Sequence, residues 1–411
     1  MGMPGRFLDR IFPFRHLPRP VYVLFVARII NRMGDFVRYF LTLYLTRILG
    51  MAPAQAGLVV TAAAVAGMAG GLASGRLSDR VGRKRIMLLA QSLSAGVLIA
   101  CGFRPDAPWL PAALIVSQFF FGAIRPASQA LVTDLTPVED RRKAFGLLYF
   151  GINIGVALGP VVAGFLFENH RRWIFWGDAA TTLLGVALVA LLVSEPPRHA
   201  VQRGDEREDA DDAGALRAFI RRPILVGFII VMVLTNFIYA QTHFALPLLM
   251  DGLFGISGAR NFGFLMSVNA VTVLIFTPLL LNLLGRSRPG RNMIWGALCY
   301  AVGFGVLAFV PGMMAWILAS TVIWTLGEIV FATNGRVFSS AYTPLNHRGR
   351  FASIEQLAWG VGAVLSPAAA GFLTEVLGAR GVWIPIAALA AVVMLGMAVL
   401  DARDRRQTTR D

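Results

Sequence analysis

Two carboxylates fall inside runs that are otherwise almost wholly apolar, and each could take up and release a proton. Asp35 belongs to the stretch from Arg28 to Tyr39, which also holds Asn31, Arg32 and Arg38. At ~100° per residue, positions 28, 32, 35 and 39 share one helix face, flanked by 31 and 38. A charge at the centre of a bilayer costs ~2.5–3.5 kcal/mol on insertion scales, so such a stripe should line a water-filled cavity. Asp35 is then either a proton carrier with Arg32 and Arg38 as counter-ions one turn away, or one half of an ion pair within the helix. Glu328 lies in Trp324-Thr325-Leu326-Gly327-Glu328-Ile329-Val330, with no cation inside one turn. That position suits a proton shuttle; a carboxyl bonded to a neighbouring hydroxyl is the plainer alternative. Arg125 and Arg336 add positive charge inside apolar runs, and Asn153 adds an amide. His243 lies near Asn236, Tyr239 and Gln241 and reads more readily as hydrogen-bonded structure than as a proton switch. Asp134 could pair with nearby cations, while Asp178 and Glu355 are weaker candidates.

The elements that must position these groups follow from composition. Of 411 residues, 56% are hydrophobic and 15% charged, which excludes an ordinary soluble domain and a disordered chain. Apolar stretches of spanning length fall at roughly 21–48, 55–78, 86–103, 109–133, 144–168, 173–194, 223–249, 261–284, 292–311, 314–341, 351–377 and 380–401. The expected fold is an all-α polytopic membrane protein with twelve spans. The net charge of +15 belongs to loops between spans and so points to a membrane face, with no nucleic acid implied. Of 38 Lys and Arg, 27 fall before residue 20, in 76–85, 141–143, 198–222, 286–291, 348–350 and after 402, against six in the alternate loops. That asymmetry puts both termini in the cytoplasm. The N-terminus, with Arg6, Arg10, Arg15 and Arg19, reads as a tail and not as a signal peptide. Cys101 and Cys299 stand alone in apolar runs, with no disulfide framework or metal site implied.

Residues 195–222 form a mixed-charge linker around Asp205-Glu206-Arg207-Glu208. It divides a six-helix bundle at 21–194 from a second at 223–401, with tails at 1–20 and 402–411. The halves repeat each other. Thr136-Pro137 recurs as Thr343-Pro344, Gly155 as Gly362, Gly164-Phe165-Leu166 as Gly371-Phe372-Leu373 and Glu168 as Glu375, all offset by 207 residues. A constant offset marks an internal duplication. Paired six-helix halves around a midplane site are the architecture of alternating access.

Between the second and third spans runs Gly75-Arg76-Leu77-Ser78-Asp79-Arg80-Val81-Gly82-Arg83-Lys84-Arg85. This resembles the loop signature of the major facilitator superfamily, G-x-L-x-D-R-x-G-R-K/R-x, with Gly75, Leu77, Asp79, Arg80, Gly82, Arg83 and Lys84 all in place. The resemblance implies the major facilitator fold, two pseudo-symmetric six-helix bundles, and makes Gly75, Asp79, Arg80, Gly82 and Arg83 parts of a conformational latch in which Asp79 braces against the end of the eleventh helix. The related stretch Gly285 to Arg291 keeps the basic residues and lacks the acid. In the fifth span, Gly151, Gly155 and Gly159 are spaced by four and followed by Pro160 and Gly164. Small residues so spaced allow close helix packing. The pattern also resembles the fifth-helix motif of proton-coupled drug exporters, departing from it at Ala163-Gly164, where the family favours paired glycines.

The resemblance implies a secondary transporter driven by a proton gradient, with no cofactor and no enzymatic activity; no Walker loop or nucleophile elbow is present. The expected function is proton-coupled export of amphipathic organic compounds. A symporter for an organic anion or peptide, a lipid or lysolipid flippase and a non-transporting membrane sensor are the alternatives. Five intramembrane arginines against Asp35, Asp178, Glu328 and Glu355 suit an anionic cargo. The expected partners are the bilayer, a small-molecule substrate and protons, with a monomer in the bacterial inner (plasma) membrane as the working unit.

Overall fold

The computed structural model describes residues 16–195, 219–220, 222–343 and 348–408, without the side chains of Arg76, Asp79, Val138, residues 348–353, Gln407 and Thr408. Most of the N-terminal tail and of the 195–222 linker lies outside the described residues, as does the side chain of Asp79. Within them the chain is all helix and connecting turns. In order, the helices are α1 (Arg19–Met33), α2 (Phe36–Leu43) with a π-helical turn at Tyr44–Ile48, α3 (Pro53–Val81), α4 (Arg83–Phe103), α5 (Leu110–Leu135), α6 (Arg141–Asn169) and α7 (Arg172–Leu192). Then come α8 (Pro223–Ala240), α9 (Ala245–Phe254), α10 (Gly258–Leu284), α11 (Pro289–Val306), α12 (Met314–Tyr342), α13 (Arg348–Gly381) and α14 (Trp383–Thr408).

Among the described residues nine stretches are long and apolar enough to cross a membrane, one of them the 62-residue run Pro223–Leu284. Leu72, Phe103 and Leu191 stand exposed on these helices, as lipid-facing side chains must, while the helices satisfy their own backbone. Proline at the first turns of α1, α5, α8 and α11 takes positions where no helical N–H is lost.

The chain divides into two compact units: Met1–Leu49, Ala62–Arg198 and Ala259–Ser267 in one, Gly50–Thr61, His199–Gly258 and Val268–Asp411 in the other. In the first, α1 packs on α6 and α7, and α4 on α5 and α7. Val21, Leu24, Ile86, Met87, Leu131, Leu148 and Val189 fill the core between them. In the second, α8 packs on α13 and α14, and α11 on α12 and α14. Phe304 stacks there between Trp324 and Trp383, with ring centroids 5.6 Å from each. The duplicated sequence therefore repeats its helix pairings too.

Each unit borrows a helix end from the other half of the sequence. In the first unit, Gly263 near the start of α10 lies against the Pro160 carbonyl of α6, and Gly164 against Ala259. In the second, Gly57 lies against the Pro367 carbonyl of α13, and Gly371 against Pro53. Each start is also capped by an acid: Glu168 accepts from the Arg260 N–H at 3.2 Å, and Glu375 from the Ala54 N–H at 3.3 Å. Glu168 and Glu375 are a repeat pair, related by the offset of 207.

Candidate proton-handling sites

The first span is not one helix. α1 stops at Met33, and Asp35 takes the non-helical position ahead of α2 (φ −71°, ψ 54°). The ~100° stripe through residues 28, 32, 35 and 39 is therefore interrupted, and Tyr39 is buried. No proline makes the break. It is held from α7, where the Asp178 carboxylate accepts the Val37 N–H at 3.2 Å, Thr181 sits against Gly34, and a methyl at Gly177 would lie 2.8 Å from the Phe36 ring. Asp178 supplies the cap that Asp35, despite its position, does not make.

Asp35 itself is buried and paired with Arg32 at 2.6 Å and Arg38 at 4.0 Å. Arg38 reaches an exposed position, while Arg32 is half-buried. Asn31, Asp35, Arg38, Ser94, Ser117, Gln118, Asp178 and Thr182 are among the residues lining a small cavity of about 20 Å³. That is room for one water molecule or two. Around it, Gln91 donates to Asn31 at 2.9 Å, and Arg28 to Ser128 at 2.7 Å. Arg32 and Arg125 are the cationic neighbours of Arg28.

In the second unit Glu328 is half-buried and accepts from Tyr239 Oη at 3.0 Å and from Asn269 Nδ2 at 2.9 Å. Asn269 also donates to Thr325 at 2.9 Å. Both donors to Glu328 are neutral. The seventh span is interrupted as well, at Gln241 to Phe244, where 207 residues separate Gln241 from Gly34. Here Gln241 donates to Ser366, at 2.8 Å, and Ser366 to the Phe237 carbonyl. His243 sits in that turn, edge-on to Tyr239 at 6.2 Å. Arg336 is exposed on α12, and Asn153 donates to the Tyr149 carbonyl of its own helix at 2.8 Å.

The basic motif between the second and third spans is scarcely a loop. α3 runs to Val81 and α4 starts at Arg83, leaving Gly82 alone between them. Gly82 has φ 117°, a conformation that favours glycine, and a methyl there would lie 2.8 Å from Glu195. Gly75, by contrast, has open space about it, so close helix approach does not explain that residue. Arg83 pairs with Asp134 at 2.5 Å and donates to the Ala130 carbonyl, while Glu195 accepts the Lys84 N–H at 3.1 Å. Arg80 is exposed. At the repeat-related corner, a methyl at Gly290 would meet Asp401 at 2.8 Å.

The glycines of α6 lie against α1 backbone to backbone. A methyl at Gly155 would be 2.8 Å from the Ile29 carbonyl and 2.9 Å from the Met33 nitrogen; one at Gly159 would be 2.6 Å from the Met33 carbonyl. Gly151 faces Phe25 in the same seam. Gly362 makes the matching approach to α8, where a methyl would lie 3.0 Å from the Phe237 nitrogen.

With this geometry in view, the sequence profile of the Major Facilitator Superfamily matches residues 24–337 and, in a second register, 262–411. The chain belongs to the major facilitator superfamily. An uncharacterised transporter of the superfamily, YqjV of Bacillus subtilis (strain 168), is 24% identical over 393 residues, 92% of each chain. Multidrug resistance protein 2 of the same organism is 23% identical, over 80% of this transporter and 82% of that one. The crystal structure of the nucleoside transporter NupG superposes with a TM-score of 0.74 at 14% identity, over 93% of this chain and 99% of that one. The superfamily transporter described here is thus a multi-pass membrane protein whose relatives and structural neighbours are transporters and not enzymes.

By sequence alone Asp178 ranks low. Its signal is there: an acid inside an apolar span with no cation on the following turns of its own helix. What the sequence hides is its partner, 141 residues away.

Proposed function

We propose that this transporter couples proton movement to the export of amphipathic organic compounds, with Glu328 as the principal proton-binding group. The observation that carries the reading is the setting of Glu328: an acid on a spanning helix whose hydrogen-bond partners are a phenol and an amide, both uncharged. Such a carboxyl can exchange a proton for a cationic cargo without first breaking an ion pair. Asp35, tied to two arginines, is the second proton group on this reading. The glycine seam of α6 and the likeness to Multidrug resistance protein 2 support export. The cluster of Arg28, Arg32 and Arg125 favours a different cargo, an organic anion taken up with protons, as the second reading.

The test is reconstitution in liposomes with an imposed pH gradient, using ethidium, benzoate and lysophosphatidylcholine as probes. Proton-driven ethidium movement out of the cytoplasmic compartment is expected. Glu328→Gln should abolish probe-driven proton flux while leaving expression and probe binding intact. Flux equal to wild type in that variant would refute the assignment, benzoate moving with protons would establish the second reading, and no movement of any probe would leave a sensor.

A further inference from the structure

The break in the first span places a helix start beside two acids and a water-sized cavity, and only one of the acids holds that start. We propose that Asp178 is the positioning residue that converts proton binding into bending of the first span: as a carboxylate it holds α2 apart from α1, and on taking a proton it lets α2 go.

The geometry assigns the role to Asp178 and not to Asp35. Asp35 stands at the cap position yet its side chain caps nothing; its oxygens face Arg32 and Arg38. Asp178 reaches across from α7 to the Val37 N–H, and its neighbours Gly177 and Thr181 are fitted against Phe36 and Gly34. A negative charge at a helix N-terminus stabilises that terminus, and a neutral acid does so less. Asp178 and Asp35 line the same small cavity, which has room for a water molecule beside both acids. Asp35 is the charged neighbour of Asp178 and Arg38 lines the same cavity, with Arg32 paired to Asp35; α4 and α5 face the cavity with Ser94, Ser117 and Gln118, which are neutral. Removing the negative charge leaves two guanidiniums and one carboxylate, which favours movement of the Arg38 segment.

The hinge rests on the proton-coupled reading for its purpose, but its test needs no cargo. Amide hydrogen exchange of the purified full chain in lipid nanodiscs is followed for the segment Phe36 to Phe40, in alkaline and in mildly acidic buffer, corrected for intrinsic rates. In wild type, protection is expected to fall on acidification on the order of fivefold, the factor that a carboxylate at a helix N-terminus is worth. Asp178→Asn should show the lower protection in both buffers, with no further fall on acidification. Protection independent of pH in wild type would overturn the proposal, which guards against a variant that fails to fold. So would a response that persists in Asp178→Asn. Should exchange follow Asp178 while liposomes show no proton flux, the hinge stands and the coupling reading falls.

Discussion

At Gly155 a single methyl group would press on the backbone of α1, 2.8 Å from one carbonyl, whereas at Gly75 it would meet open space. Gly155→Ala should therefore lower stability by about 1–3 kcal/mol, the range for overpacking a close contact. Gly75→Ala, inside α3, should be neutral or raise it by up to ~1 kcal/mol through helix propensity. Thermal unfolding of the two variants in one detergent checks both signs together. Glu328 belongs to the same scale: its lack of a cation within one turn is legible in the local sequence, but its donors, Tyr239 and Asn269, come from 89 and 59 residues away. Arg32 and Arg38 flank Asp35 at three residues on either side, so their proximity follows from short separation along the chain, although the helix is broken between them. Asp178 cannot be paired by any such rule.

At the scale of elements, the apolar runs mark most helix ends to within about four residues, because length and hydropathy are what the bilayer selects; the exceptions are α9, which ends at Phe254, α11, which stops at Val306, and α14, which runs on to Thr408. The interruptions at Gly34 and at Gln241 to Phe244 leave no such mark. Neither contains proline, and both depend on side chains from other helices, Asp178 in one case and Ser366 in the other. The same limit hides the roles of Glu168 and Glu375. The repeat marks them as related, yet only packing shows that each caps a helix start from the opposite half of the sequence. Glu168→Ala and Glu375→Ala should each weaken the start they cap by about 0.5–1 kcal/mol. Faster amide exchange in the first turn of α10 for one, and of α3 for the other, would show it; an effect on the wrong helix would contradict the assignment.

For the whole molecule, the duplication extends from residues offset by 207 to helix pairings, span interruptions and corner contacts. What differs between the halves is charge: the first half surrounds its break with acids and arginines, the second with amides, hydroxyls and the imidazole of His243. The Lys and Arg asymmetry of the loops predicts that Ser287→Cys, in a background with Cys101 and Cys299 replaced by serine, reacts with an impermeant thiol reagent only from the cytoplasmic side. Labelling from outside would invert the topology. The glycine seam has one more effect on such a chain. With α1 held against α6 largely through main-chain atoms at Gly155 and Gly159, that seam has little room to rearrange, so a bend at Gly34 has to swing α2. Eight helical residues make a lever of about 12 Å, whose far end would travel about 4 Å for a turn of about 20°. Phe40 rides on that lever, edge-on to Phe262 of α10 at 5.6 Å. A proton gained by Asp178 on α7 would thus be felt as a push on Phe262.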